Sequence, residues 1–310
     1  MFVARIAVVT GAFSYTGSAV ARSLLQRGFT VRTLTNREAP VNDPGGSIEA
    51  YPLQFDDPAR LAGAMRGAQV LVNTYWVRYP YVGVGFDRAV ENTSILLHAA
   101  LEAGIGRIVH VSVSNPSVDS PLGYYRGKAE VEALVRGLGV SYAIVRPTLV
   151  VGSRDILVNN IAWFLRRFPV FAMPGSGRYR VQPVTLEDAG EIMAEAVLAT
   201  GNMTIDAAGP EVLTFEDLVR EIGRAIGRKA LVVHVPPRLA LALLRGVGWM
   251  KGEVILSRQE LDGLMTELLV SREAPRGMRS VTGWLREHGP ELGRAYASEF
   301  ARHVYHAPEA

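Results

Sequence analysis

The sequence predicts an α/β chain, a doubly wound parallel sheet followed by a smaller, mostly helical C-terminal substrate region. Three observations lead there. Short apolar runs alternate with helical patterns of about ten residues or more through the first half. Glycines stop those helical patterns, as at Gly28 and Gly104. The 310 residues are 48% hydrophobic and 20% charged, which excludes a disordered, collagenous or coiled-coil chain. Alternating strands and helices make βαβ units, and such sheets bind ligands at the carboxyl ends of their strands.

The first strand is expected at 5–10, where Ile6-Ala7-Val8-Val9 reads as a buried run and not as a secretory leader. Val20, Leu24 and Leu25 space a helix over 17–26. Strands follow at 29–35 and 50–55, a helix at 58–65 opened by Pro58, and a fourth strand at 69–74. Val90, Leu97 and Leu101 share one face of a helix at 87–103. A strand at 107–112, a helix at 123–136 and a strand at 141–146 complete the regular half. After Pro147 the pattern loosens. Helices are expected at 156–168 and 186–199, with a Pro/Gly-rich loop at 169–177 and a short strand at 204–208. Thr214-Phe215-Glu216-Asp217 reads as a capped helix start. A strand at 231–235 stops at Pro236-Pro237, and helices are expected at 238–248, 258–270 and 291–304.

Net charge is +3 with no Lys/Arg block, so nucleic acid is not an expected partner. Zero cysteines exclude disulfides, thiolate metal sites and a cysteine nucleophile, and point to the cytoplasm. The six histidines show no metal spacing, and no metal is expected. No Gly-x-Ser-x-Gly elbow follows a strand, which disfavours a hydrolase. No uncharged apolar run is long enough to span a membrane.

Thr10-Gly11-Ala12-Phe13-Ser14-Tyr15-Thr16-Gly17 lies between the first strand and the first helix. A tight turn here aims backbone N–H groups and a helix N-terminus at a diphosphate. Gly11 permits the turn, and Gly17 lets helix and strand approach closely. Tyr124-Tyr125-Arg126-Gly127-Lys128 carries a second pattern, Tyr-x-x-x-Lys at the start of a helix. Residues four apart share a helical face. An ammonium beside a phenol favours the phenolate, which suits proton transfer coupled to hydride transfer. The chain has only three lysines, so a lysine-dependent motif is not a common accident.

These residues resemble the short-chain dehydrogenase/reductase superfamily, in its extended and atypical branches, whose sheet is of Rossmann type. The NAD-dependent epimerase/dehydratase-like enzymes are among the former. The pattern Thr-Gly-x-x-x-x-Thr-Gly normally has a glycine where Ser14 stands. The resemblance implies Tyr124, Lys128 and Ser112 as catalytic residues, with Ser114 an alternative to Ser112. Gly11, Phe13, Ser14, Tyr15, Thr16, Gly17, Asn36, Arg37, Asp56, Thr74, Lys128 and Pro147 would hold the cofactor. Asp57 beside Asp56 reads equally as a helix cap. Asn92 would support the active-site backbone, Arg146-Pro147-Thr148 would pass the nicotinamide, and Gln182-Pro183-Val184 with Glu187-Asp188 would lie near the substrate cleft. Only twelve positions separate Ser112 from Tyr124. That short loop is similar to the atypical NmrA-like group, which includes the NAD(P)H-binding accessory subunit of respiratory complex I.

Thr35-Asn36-Arg37 at the end of the second strand has no acid at its tip, and Arg32 is near. An arginine there accepts a 2′-phosphate, so NADP is expected over NAD, although Glu38 blurs the choice. The domains expected are 1–202, the NAD(P)-binding part with some of the substrate cleft from 152–183, and 203–310, a substrate or lid region. The function expected is an NADP-dependent oxidoreductase or epimerase-like enzyme. The alternative is a non-catalytic NADPH-binding module that senses redox state or assembles a complex. The expected partner is a small-molecule substrate. A peripheral membrane or protein-complex contact is left open by the apolar run 239–250, which otherwise reads as a core or lid helix. Trp163, Phe164, Phe168 and Phe171 could line a substrate pocket, but most of them read better as packing on the sheet.

Overall fold

Uncharged runs of Val, Ile, Leu and Ala become strands covered on both faces, and helices with one apolar stripe cover them. The computed structural model describes residues 5–37, 48–80, 83–229, 231–252 and 254–298. The first half runs β1 (Ile6–Thr10), α1 (Tyr15–Gln26), β2 (Thr30–Leu34), β3 (Ile48–Tyr51), α2 (Pro58–Met65), β4 (Val70–Asn73), α3 (Phe86–Glu102), β5 (Arg107–Val111), α4 (Gly123–Gly137) and β6 (Ser141–Pro147). Then come β7 (Leu149–Val151), α5 (Ile156–Arg167), β8 (Val170–Pro174), β9 (Arg180–Val181), β10 (Pro183–Thr185), α6 (Leu186–Leu198) and β11 (Met203–Ala207). The chain continues through β12 (Leu213–Thr214), α7 (Phe215–Ala225), β13 (Leu231–Val235), α8 (Pro237–Lys251), α9 (Arg258–Met265) and α10 (Val281–His288).

Two units emerge, Met1–Pro147 with Leu186–Ala207, and Thr148–Thr185 with Ala208–Ala310. This differs from a single boundary at 202, because 148–185 groups with the later residues. Unit 1 holds a seven-stranded, wholly parallel sheet in the order β11-β6-β5-β4-β1-β2-β3. The order reverses between β1 and β4, the switch point where such sheets open a crevice. One face packs Val8, Leu71, Ile108 and Ile144 against Leu61, Met65, Leu96, Leu97 and Val131 of the helices. On α6, a Cβ at Gly190 would lie 2.9 Å from Ala19 of α1, so glycine permits that helix contact.

Unit 2 builds its own core from α5, α7, α9 and α10, with Ile161, Phe215, Leu218, Ile222, Trp284 and Leu285 at its centre. Among its described residues it carries three two-stranded sheets, β7 with β10, β9 with β12, and β8 with β13. The expected loop at 169–177 is corrected here: β8 pairs in parallel with β13, Val170 opposite Leu231 through Pro174 opposite Val235. The expected helix at 291–304 is absent over its described part, 291–298, which is turn and irregular chain; 299–304 lies outside the described residues. Instead Ser280 caps α10 by accepting from the Gly283 amide at 2.9 Å, with Glu211 bound to Ser280 and Thr282. The helix expected at 258–270 ends at Met265.

Candidate functional site

The glycine turn sits at the carboxyl end of β1, beside the sheet's switch point. The Gly11 amide donates to the Leu34 carbonyl of β2 at 2.9 Å, and the Ala12 amide to Thr33 Oγ1 at 2.9 Å. Gly11 has φ +64°, in the left-handed region where a side chain costs energy. A Cβ on Gly17 would lie 2.1 Å from the Gly11 carbonyl oxygen, so only glycine lets helix and turn touch. Ser14 is the N-cap of α1, and its Oγ accepts from the Gly17 amide at 3.3 Å. The hydroxyl therefore satisfies one of the orphan amides at the helix start. The Phe13 and Thr16 amides have no partner among the described residues. Thr74, just past β4, closes the other side: its amide and Oγ1 bond Thr10 Oγ1 and Thr10 O, at 2.7 and 2.5 Å.

The end of β2 is more occupied than its sequence suggests. Asn36 exchanges two hydrogen bonds with the Leu53 backbone, each 3.0 Å, and is a strut between strand ends. Arg32 bonds Glu49 at 2.9 Å and the Arg66 carbonyl at 2.8 Å. Arg37 is half-buried, its amide on Thr35 Oγ1 at 3.1 Å. Glu38 lies outside the described residues. Asp56 is exposed, and Asp57 caps α2 through the Arg60 amide at 3.0 Å.

The Tyr-x-x-x-Lys helix is α4. Gly123 and Gly127, four residues apart, admit aromatic rings. A Cβ at Gly123 would lie 2.8 Å from Phe86, and one at Gly127 2.9 Å from Trp76. Trp76 and Phe86 stack at 6.3 Å, and both meet the half-buried Tyr124 ring edge-on, at 6.0 and 5.9 Å. The Lys128 ammonium lies over the Trp76 ring, 4.7 Å from its centroid, and donates to the Val111 carbonyl at 2.7 Å. Lys128 is only 3% exposed. Burial drags its pKa from 10.5 to about 7, and the nearby Glu132 carboxylate opposes that shift.

A buried polar chain underlies this lysine. Glu132, on the next turn of α4, is clamped by Arg146 at 2.8 and 2.6 Å and by Arg136 at 2.8 Å. Burial would raise its carboxyl, but the bonds from Arg146 and Arg136 win and hold it below the ordinary range. Ser112 Oγ lies close enough to help lower that carboxyl, yet outside hydrogen-bond geometry, and has no partner among the described residues. His110 Nδ1 meets Asn73 at 3.2 Å, while its Nε2 is buried and unpartnered. Burial, with the Lys128 charge second, pushes His110 well below its usual pKa.

The structure thus gathers Gly11, Phe13, Ser14, Tyr15, Thr16, Gly17 and Thr74 at one end of the strand termini. Ser112, Tyr124 and Lys128 gather around β5 and α4. Pro147 ends β6, its carbonyl accepting from the Ser114 amide at 3.0 Å. Asn92 donates at 2.9 Å to the Tyr75 hydroxyl, and not to the active-site backbone as expected. In unit 2, Thr148 and Gln182 form a knot: Thr148 donates to the Gln182 carbonyl at 2.5 Å, and Gln182 bonds Gly209 and Ser271 at 2.9 and 3.0 Å. Trp163 packs with Phe164 and Phe168 under Arg167. Sequence reasoning missed Trp76, His110 and Glu132. Glu132 had one signal, a carboxylate four residues after Lys128 on the same helical face.

Sheet order and glycine turn define a Rossmann-type α/β protein. The chain belongs to the NmrA-like family, whose pattern matches residues 4–278. It is 25% identical over 288 residues to the mitochondrial NADH dehydrogenase (ubiquinone) 1 alpha subcomplex subunit 9 of Arabidopsis thaliana, covering 87% of this chain and 72% of the relative. Its fold is similar to an NADPH-dependent quinone oxidoreductase of Escherichia coli, solved with NADPH. That match has TM-score 0.73 and 19% identity, over 91% of this chain and 99% of the other. A nucleoside-diphosphate-sugar epimerase of Staphylococcus aureus matches with TM-score 0.71 and 14% identity, over 91% and 99%. The partner expectation is corrected by the first of these. It put a small molecule foremost and left a protein contact merely open, whereas the Arabidopsis relative is by name a subunit of an assembly.

Proposed function

We propose that this protein binds a nicotinamide dinucleotide in unit 1, with the diphosphate on the turn from β1 to α1. The carrying observation is that turn: a Cβ on Gly17 would strike Gly11, and the Phe13 and Thr16 amides stand unpartnered at a helix N-terminus. Such amides and the helix dipole favour an anion. The E. coli neighbour solved with NADPH supports the same reading. Gly11, Phe13, Ser14, Tyr15, Thr16, Gly17 and Thr74 hold the diphosphate side. Asp56 serves the adenine end, and Pro147 the nicotinamide end. Arg37, just past the end of β2, selects NADP over NAD, because a guanidinium at that strand end can meet a ribose 2′-phosphate. Titration calorimetry should give stronger binding for NADPH than for NADH. Arg37→Ala should weaken NADPH alone by about 10–100-fold, the worth of a charge-assisted hydrogen bond. Absence of heat with either nucleotide would sink the reading.

Binding without turnover is the form the geometry favours. When bound, the nicotinamide supplies a hydride; Lys128 would have to hold its ribose and tune Tyr124. Here that ammonium is covered by Trp76 and already donates to the Val111 carbonyl. A second reading, an NADP-dependent reductase with Tyr124 as proton donor, is favoured by Tyr124 itself, half-exposed in the first turn of α4. NADPH oxidation across a panel of quinones and carbonyls separates the two. Turnover that Tyr124→Phe abolishes establishes the reductase; tight binding with no turnover establishes the module.

A further inference from the structure

We propose that α8, in unit 2, docks this protein on an anionic lipid surface. The helix begins after Pro236 and ends on Gly252 at φ +70°, and turns Ala240, Leu241 and Gly248 inward. Its outward face is not the charged face of an ordinary surface helix. Leu239 and Leu243, one turn apart, are 48% and 51% exposed, and Trp249 is 87% exposed. Arg238 and Arg245, two turns apart, line one edge of that exposed face and are themselves exposed. A stripe of Leu and Trp beside arginines is the pattern of a helix lying in the plane of a bilayer surface. The long side chains reach headgroups while their stems stay apolar, and tryptophan sits at the boundary. With 15 residues α8 is too short to span, and no described helix is long and apolar enough to do so.

Charge names the occupant. From residue 222 to residue 252 the chain carries Arg224, Arg228, Lys229, Arg238, Arg245 and Lys251, and no Asp or Glu. Arg224 is paired with Glu221. Arg228, Lys229, Arg238 and Arg245 are exposed and without an ion pair among the described residues. A second copy packed α8 against α8 would bring Arg238 and Arg245 of the two helices together with no carboxylate in either helix to offset them, whereas anionic headgroups meet both cations.

Flotation of the full-length protein tests this, using vesicles of phosphatidylcholine alone and of phosphatidylcholine with phosphatidylglycerol in equal parts. Binding should appear with the anionic vesicles alone, fall with added salt, and shift tryptophan emission to the blue. Arg238→Gln with Arg245→Gln should weaken it about thirty-fold, at roughly 1 kcal/mol per cation. Leu243→Asp, also on the exposed face, should abolish it while leaving the circular dichroism unchanged. No binding to anionic vesicles, or equal binding to both compositions, would overturn the proposal. So would lipid-free dimerisation that Leu243→Asp disrupts, because the face would then belong to a second copy.

Discussion

The two ends of the strand termini in unit 1 are built on opposite principles. At the glycine turn, function is written in backbone: amides, a positive φ at Gly11, and a missing Cβ at Gly17. At the Tyr124–Lys128 end it is written in side chains, and those have found partners within the protein. Trp76 covers the lysine, Val111 accepts from it, and Glu132 sits a turn away between two arginines. A backbone motif keeps its meaning wherever the strand–turn–helix forms. A side-chain motif keeps its meaning only if the neighbours leave it room.

The largest effect should come from breaking the backbone end. Gly17→Ala puts a Cβ against the Gly11 carbonyl, and the helix or the turn must move. A loss of about 3 kcal/mol is expected from such overpacking, read as a lower Tm, together with loss of NADPH heat. Near-native stability would mean that helix and turn are less rigidly coupled than their approach implies.

Next comes the clamp at the side-chain end. Glu132→Gln leaves Arg146 and Arg136 facing a neutral amide. Breaking a buried pair costs up to about 5 kcal/mol, but both arginines reach solvent, so about 2 kcal/mol is expected at pH 7. Because the folded carboxyl lies below its unfolded value, this stability is present above the unfolded pKa. It disappears as pH falls through the folded one. Wild type and Glu132→Gln should therefore converge in urea midpoint at strongly acidic pH. A constant gap across that range would show that the charge is not what matters.

Lys128 tests the same end with the opposite sign. Its folded pKa, about 7, lies below the ordinary lysine value of 10.5, so between those values the unfolded chain holds more protons. Stability should climb as pH rises through that window, and a buried charge should weigh against folding below it. Lys128→Met should flatten the climb and stabilise the protein at pH 6 by about 1–3 kcal/mol, even after leaving the Val111 carbonyl without its donor. Parallel pH profiles for the two proteins would place the titration elsewhere.

These contrasts mark what was legible in the sequence. The parallel sheet was, because runs such as Val70–Asn73 are apolar on both faces and the intervening helices carry their own stops. The glycine turn was, because its determinants are local. The burial of Lys128 was not: Trp76 lies far from it in sequence, and the two meet because the segment after β4 reaches α4 at Gly127. The strand β8 was hidden for a similar reason. Pro169, Pro174 and Gly175 read as loop residues, and the pairing that makes Val170–Pro174 a strand comes from Leu231–Val235. Helix α10 was passed over because its cap, Ser280, draws on Glu211 from another part of the chain.

The smallest effect is the most pointed. Ser14 stands where the family pattern has glycine, and its hydroxyl accepts from the Gly17 amide. The same amide is one of those a diphosphate at a helix N-terminus would use. Serine and ligand therefore compete for it, or serine donates its own hydrogen to the phosphate in exchange. Replacing an N-cap serine by glycine costs only a few tenths of a kcal/mol, so Ser14→Gly should barely move Tm. If competition governs, NADPH binding should tighten by up to about tenfold, the worth of one ordinary hydrogen bond. If the hydroxyl donates, binding should weaken by a similar factor. An unchanged affinity would mean that the diphosphate rests on Phe13 and Thr16 alone, and that the open amides set the strength of the site.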